Sequence, residues 1–142
     1  MVDHSHVPAQ EVAQLYDGFE VAVHTVSHPD LTTLSDEGVL YEVLSDRIAL
    51  ERLVGYPVRG MAYPFGTTDG RVGSLLARCG IRFARGVRVT GDFSLPGDNY
   101  DWACSCHHEG LEPLIEPFLE HDEALKLLSV WGHSYEFDQK NG

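Results

Sequence analysis

The stretch Glu20–Leu31 reads EVAVHTVSHPDL. Together with Phe19, its first half is a short run of strand-forming residues, and Phe19–Val23 is expected to be a buried strand. Its second half is a loop that carries Pro29 and two histidines, His24 and His28, four residues apart. If the loop turns helically, both imidazoles point the same way, which is the geometry a shared divalent ion requires. Two readings stand open for the pair: metal ligands, or surface histidines beside a proline turn. No Glu follows His24, so the zinc-protease helix pattern is excluded.

Outward from this stretch the chain alternates helices and strands. Upstream, Pro8 suits a first helical turn, Val12, Leu15 and Tyr16 share a face, and Asp17-Gly18 stops the helix. Downstream, Ser35 caps a helix whose first turn holds Asp36 and Glu37. Val39, Leu40, Val43, Leu44 and Ile48 recur on it at helical spacing, on to Leu53 and Val54, and Gly55 ends it. A strand is expected over 58–63, ending in Pro64-Phe65-Gly66. Thr68-Asp69 caps the next helix, with Val72, Leu75, Leu76 and Cys79 facing inward and Gly80 as its stop. Ile81–Val89 reads as a strand. Residues 90–110 read as irregular, and a helix over 111–119 is expected to be interrupted near Pro113 and Pro117. A last strand over 127–131 precedes Gly132-His133-Ser134. This order is that of an α/β fold with right-handed crossovers and parallel strands, in an open or barrel-like sheet.

Composition narrows the function. The chain has 142 residues, 43% of them hydrophobic and 23% charged, which is the size and make-up of one globular domain. Ten Lys and Arg against 22 Asp and Glu leave a net charge of −12. That charge, without a basic stripe, argues against nucleic acid and anionic membranes as partners. No signal peptide or spanning segment is visible; the compartment stays open, with cytoplasmic the reading of the chain as it stands. Three Cys do not make a disulfide framework. No phosphate loop, dinucleotide fingerprint or Gly-x-Ser-x-Gly elbow occurs.

In parallel α/β folds, functional groups collect beyond the carboxyl ends of the strands. Three such ends carry unusual residues: His24 to Pro29, Tyr63-Pro64-Phe65-Gly66, and Trp131-Gly132-His133. Cys104-Ser105-Cys106-His107-His108 adds four potential ligands in five residues. It could be a second metal site, pocket lining or plain packing. His4 and His6 are assigned no role.

Taken together, these strand ends resemble the polysaccharide deacetylase family, also called carbohydrate esterase family 4 or the NodB-homology domain. EVAVHTVSHPDL is similar to its His-[Ser/Thr]-x-x-His metal motif, Met61–Gly66 to its Arg-x-Pro-Tyr motif, and Leu128–His133 to its last, histidine-ending motif. Asp98-Asn99-Tyr100-Asp101-Trp102 matches its Asp-x-x-Asp-Trp pattern. The resemblance implies a (β/α) barrel and metal-dependent removal of acetyl groups from acetylated sugars. It implies a divalent metal, Zn²⁺ by type, on His24 and His28, and an oxyanion donor in the backbone N–H of Phe65. It makes Trp131 the acetyl-pocket wall and His133 the general acid. Tyr63, Cys106, His107 and His108 are expected to contact substrate.

The chain also departs from the family pattern. The acidic pair of a Thr-Phe-Asp-Asp-Gly motif, which supplies the base and a third ligand, is not found. Only 23 residues precede His24, and Ala62 stands where many members have Arg. The expectation is therefore one N-terminally truncated domain, an incomplete barrel, weakly active or inactive on an acetylated carbohydrate. Its exposed sheet edge would be covered in a homo-oligomer. The alternatives are a non-catalytic carbohydrate- or metal-binding relative, and a thiol protein built on Cys104 and Cys106.

Overall fold

A computed structural model describes residues 7–138 of the chain; Asp3, His4 and His6 lie outside the described residues. Two compact units are present. One holds residues 7–86 with Asp98–Trp102, the other Val87–Gly97 with the residues from Ala103 onward.

The first unit is built on local signals that act as expected. Helix α1 spans Ala9–Leu15, with Pro8 at its N-cap. Helix α2 spans Asp36–Val54. The Ser35 hydroxyl accepts the Gly38 N–H at 3.2 Å, and Gly55 closes the helix in the left-handed region at φ +78°. Helix α3 spans Gly70–Arg78, and Asp69 Oδ1 accepts the Val72 N–H at 2.8 Å. Val39 and Val43 of α2 pack with Val72, Leu75 and Leu76 of α3 in one core. The apolar stripe read on α2 is wider than its buried face: Leu44, Ile48 and Leu53 are exposed. Glu42, which lies beside Val43, is buried in their place.

Strand β1 (Gly60–Ala62) pairs in parallel with β2 (Phe83–Val89), Gly60 opposite Phe83 and Ala62 opposite Arg85. β3 (Trp102–Cys104) follows β2 in the sheet order. The strand expected over 19–23 shrinks to one parallel bridge, Val23 to Met61. Val23 donates to the Gly60 carbonyl and accepts from the Ala62 N–H, both at 2.9 Å. From Val21 back the partner positions precede Gly60, where β1 has not begun. No ladder can continue there, and Phe19 is exposed rather than buried.

In the second unit β4 (Cys106–His107) pairs in parallel with β5 (Val130–Trp131), His107 opposite Trp131. Strands β3 and β4 fall inside the stretch read as irregular. They are three and two residues long, too short for period-two alternation to show. Helix α4 (Glu112–Glu120) runs through Pro117 without the expected interruption. Pro113 sits in the first turn, where a helix N–H has no partner to lose, so only Pro117 removes a bond. A short helix α5 (Tyr135–Asp138) follows β5. Among the described residues the strands form a three-stranded and a two-stranded sheet, not a closed barrel. No described helix is long and apolar enough to cross a membrane.

Candidate functional site

Three non-glycine residues among those described have positive φ: Thr25 at +73°, His28 at +57° and Phe65 at +56°. All three lie in the first unit, in two of the segments singled out from sequence. Each such conformation costs about 1–3 kcal/mol and persists only where its surroundings over-determine it.

The surroundings are two carboxylates of α2, four residues apart. Glu42 Oε2 accepts the N–H groups of Val26 and Ser27, each at 2.9 Å, and its Oε1 accepts the Ser27 hydroxyl at 2.6 Å. Asp46 Oδ2 accepts the His24 N–H at 2.8 Å. Within the turn, Thr25 Oγ1 accepts the His28 N–H at 3.1 Å. Burial pushes Glu42 up, but the bonds from Ser27 and Val26 outweigh it and hold this carboxyl below the usual range. Asp46 lies above its usual value because burial outweighs the bonds from His24 and Thr25. Asp30 ties the end of the loop to the Phe65 turn by accepting the Thr67 hydroxyl at 2.9 Å.

The two imidazoles meet edge to face, 4.8 Å between ring centres, and the Phe65 ring stands 4.7 Å from His28. His24 Nδ1 lies 2.8 Å from the Ala62 carbonyl. A carbonyl can only accept, so Nδ1 carries the proton and Nε2 keeps its lone pair, as in a metal-ligating histidine held by its other nitrogen. Burial lowers the His24 pKa, against the raising effect of the Ala62 bond, and His28 lowers it further. The neutral ring is the form that binds metal. The pair thus fits two positions of a divalent-metal centre. Among the described residues no third His, Cys, Asp or Glu joins them in a ligand cluster, whereas catalytic zinc takes three protein ligands.

The other expected contacts of this unit are placed differently. Tyr63 is buried, and its hydroxyl donates to the Tyr100 carbonyl at 2.8 Å. Burial pushes its pKa up to about 12. Phe65 is largely exposed. Asp98 Oδ1 accepts the Tyr100 N–H at 2.8 Å, and Trp102 stacks on Phe83 at 5.0 Å.

The second unit gathers the remaining residues. Cys104 and Cys106 are buried and outside any disulfide, and burial, then Cys104, raises the Cys106 pKa. His107 packs against His108 at 4.2 Å and Trp131 at 4.5 Å, and Trp131 lies 5.9 Å from His133. Glu136 Oε2 accepts the His133 N–H at 2.6 Å, and this bond leads the effects that hold Glu136 below its usual pKa. The residues that sequence reasoning missed are Glu42, Asp46 and Glu136. Glu42 and Asp46 had a faint signal, two acids spaced by one turn alongside the apolar stripe of α2.

The sequence model describing polysaccharide deacetylases matches residues 3–84. The chain belongs to the polysaccharide deacetylase family. It is 27% identical to chitin deacetylase 1 of Cryptococcus neoformans over 99 residues, 69% of this chain and 21% of that protein. It is 34% identical to a chitin deacetylase of Amylomyces rouxii over 65 residues, 46% of this chain and 15% of that one. The chain therefore spans about a fifth or less of the length of these curated relatives. In structure it is similar to the Streptococcus pyogenes deacetylase PplD in complex with acetate, with a TM-score of 0.64 at 18% identity, over 72% of this chain and 46% of that one. A polysaccharide deacetylase from Bacillus cereus aligns with a TM-score of 0.61 at 23% identity, over 72% and 33% of the respective chains. These likenesses show the family's fold, in agreement with the α/β architecture read from the sequence.

Proposed function

We propose that the chain serves a metal-dependent hydrolase that removes acetyl groups from acetylated sugars, as part of the family's (β/α) barrel. The observation that carries this reading is the strained turn anchored by Glu42 and Asp46, which brings His24 and His28 together with the Nε2 lone pair of His24 available. The chitin deacetylases it resembles support an N-acetylated sugar as substrate.

In this reading His24 and His28 hold a divalent ion of the zinc class. When bound, such an ion lowers the pKa of a coordinated water toward about 7 and polarises a carbonyl. The backbone N–H of Phe65 belongs to the first positions of a 3₁₀ turn, Pro64–Gly66, which intrahelical bonds leave available to the oxygen that gains charge. His133 returns a proton to the departing amine or alcohol, the general-acid role an imidazole can fill. Trp131 walls the acetyl methyl. Tyr63 and Cys106 act from behind the surface, and His107 and His108 meet the sugar directly or through an ion.

The test is metal content by elemental analysis, paired with acetate release from an N-acetylglucosamine oligomer. The His24→Ala variant is expected to lose the ion of this centre and any activity; full occupancy in that variant would overturn the reading. The two-ligand set among the described residues favours one second reading, a non-catalytic metal- or carbohydrate-binding relative. Metal retained by the wild-type chain with no acetate released decides for it.

A further inference from the structure

His107, His108 and Glu136 each offer one ligand atom, and the three atoms lie within 4.8 Å of one another. None of them belongs to the His24–His28 pair, and all three belong to the second unit. We propose that they form a second divalent-metal site, selective for the zinc class of cations.

Two of the three ligand-pair distances have the span that a shared ion sets, although the His107 pair also closes a long hydrogen bond. Glu136 Oε2 lies 3.3 Å from His107 Nε2 and 3.4 Å from His108 Nδ1. Charge-assisted N–H···O⁻ bonds close to about 2.7–2.9 Å. Ligands about 2.0–2.1 Å from a tetrahedral ion stand about 3.3–3.4 Å apart. The carboxylate is held in place independently, through the His133 N–H at 2.6 Å. A third imidazole nitrogen, His133 Nδ1, lies 3.3 Å from the same oxygen, at the exposed rim.

Adjacent residues on a strand point to opposite faces, which would ordinarily keep His107 and His108 from sharing an ion. Here β4 ends at His107 and a 3₁₀ turn begins at His108. The change of backbone brings both rings to one side, 4.2 Å apart. The seat of the second ring depends on Gly132: a Cβ there would lie 2.5 Å from His108 Nδ1. Two neutral imidazoles and one carboxylate make an N₂O donor set of charge −1, which suits zinc and its neighbours rather than calcium or magnesium. Three protein ligands leave a fourth position open to water or a substrate oxygen.

The experiment uses the full chain stripped of metal and titrated with ZnCl₂ by calorimetry, with elemental analysis after gel filtration. The His24→Ala/His28→Ala double variant removes the first pair and is expected to retain one zinc per chain. In that background Glu136→Gln, and separately His107→Gln, should weaken the remaining zinc affinity by about 100-fold or more, with an unchanged far-UV circular dichroism spectrum. Cobalt bound to the double variant should show tetrahedral d–d bands that Glu136→Gln removes. A double variant that binds no zinc overturns the proposal. So does an undiminished zinc equivalent in both the Glu136→Gln and the His107→Gln backgrounds. An equal zinc count in the wild type and the double variant instead counts against the His24–His28 centre and leaves this site standing.

Discussion

Glu42 decides the shape of the histidine turn. It is one of the few polar residues inside the core, and three donors converge on its carboxylate. Truncation leaves two N–H groups and a hydroxyl without that acceptor. Glu42→Ala is therefore expected to cost about 2–4 kcal/mol in urea unfolding and to weaken metal uptake by His24 and His28. The pH dependence follows from the lowered pKa of this carboxyl. Its stabilisation is complete above the unfolded Glu value of about 4.3 and is lost as pH falls through the lower native value. The melting-temperature gap between the wild type and Glu42→Gln should be widest near neutral pH and close as pH falls through the lowered native value; a gap that does not narrow on acidification contradicts the role. Phe65 shows the same logic from the strained side. Its ring is exposed and its φ is positive, so burial does not explain its conformation; the turn that follows it is tied to Asp30 through the Thr67 hydroxyl.

At the scale of elements, α2 and α3 were legible because caps act within one turn. Ser35, Asp69 and Gly55 each do locally what their chemistry dictates. The face that α2 buries was less legible. The stripe through Leu44 and Ile48 competes with one through Val39, Glu42, Val43 and Asp46, and the loop above the helix needs the carboxylates. The β1–β2 register carries a sharper test. A Cβ on Gly60 would lie 2.6 Å from the Phe83 ring, which parallel pairing places opposite. Gly60→Ala is expected to destabilise by about 1–3 kcal/mol through overpacking, and Gly60→Ala/Phe83→Leu should recover part of that loss in the same unfolding assay. No recovery would mean that the ring is not what crowds the strand.

At the scale of the whole molecule, net charge is the first handle. A charge of −12 on 142 residues makes the folded chain repel itself. Raising NaCl from about 10 to 200 mM shortens the Debye length from about 30 Å to under 10 Å and should raise the melting temperature; a fall would place favourable ion pairs above repulsion. The amino-acid sequence by itself determined the α/β class, the parallel pairing, the capped helices and the family, because each rests on local periodicity or on motifs read along the chain. It also singled out His24, His28, Phe65 and His133. Only the tertiary structure decided what holds those residues. Glu42 and Asp46 reach the turn from a helix that begins eight residues after His28, and Glu136 meets His107 from 29 positions away. Tyr63, which ends a strand in the sequence, turns its hydroxyl to Tyr100. Such contacts are set by how elements pack, and neither spacing nor composition records packing.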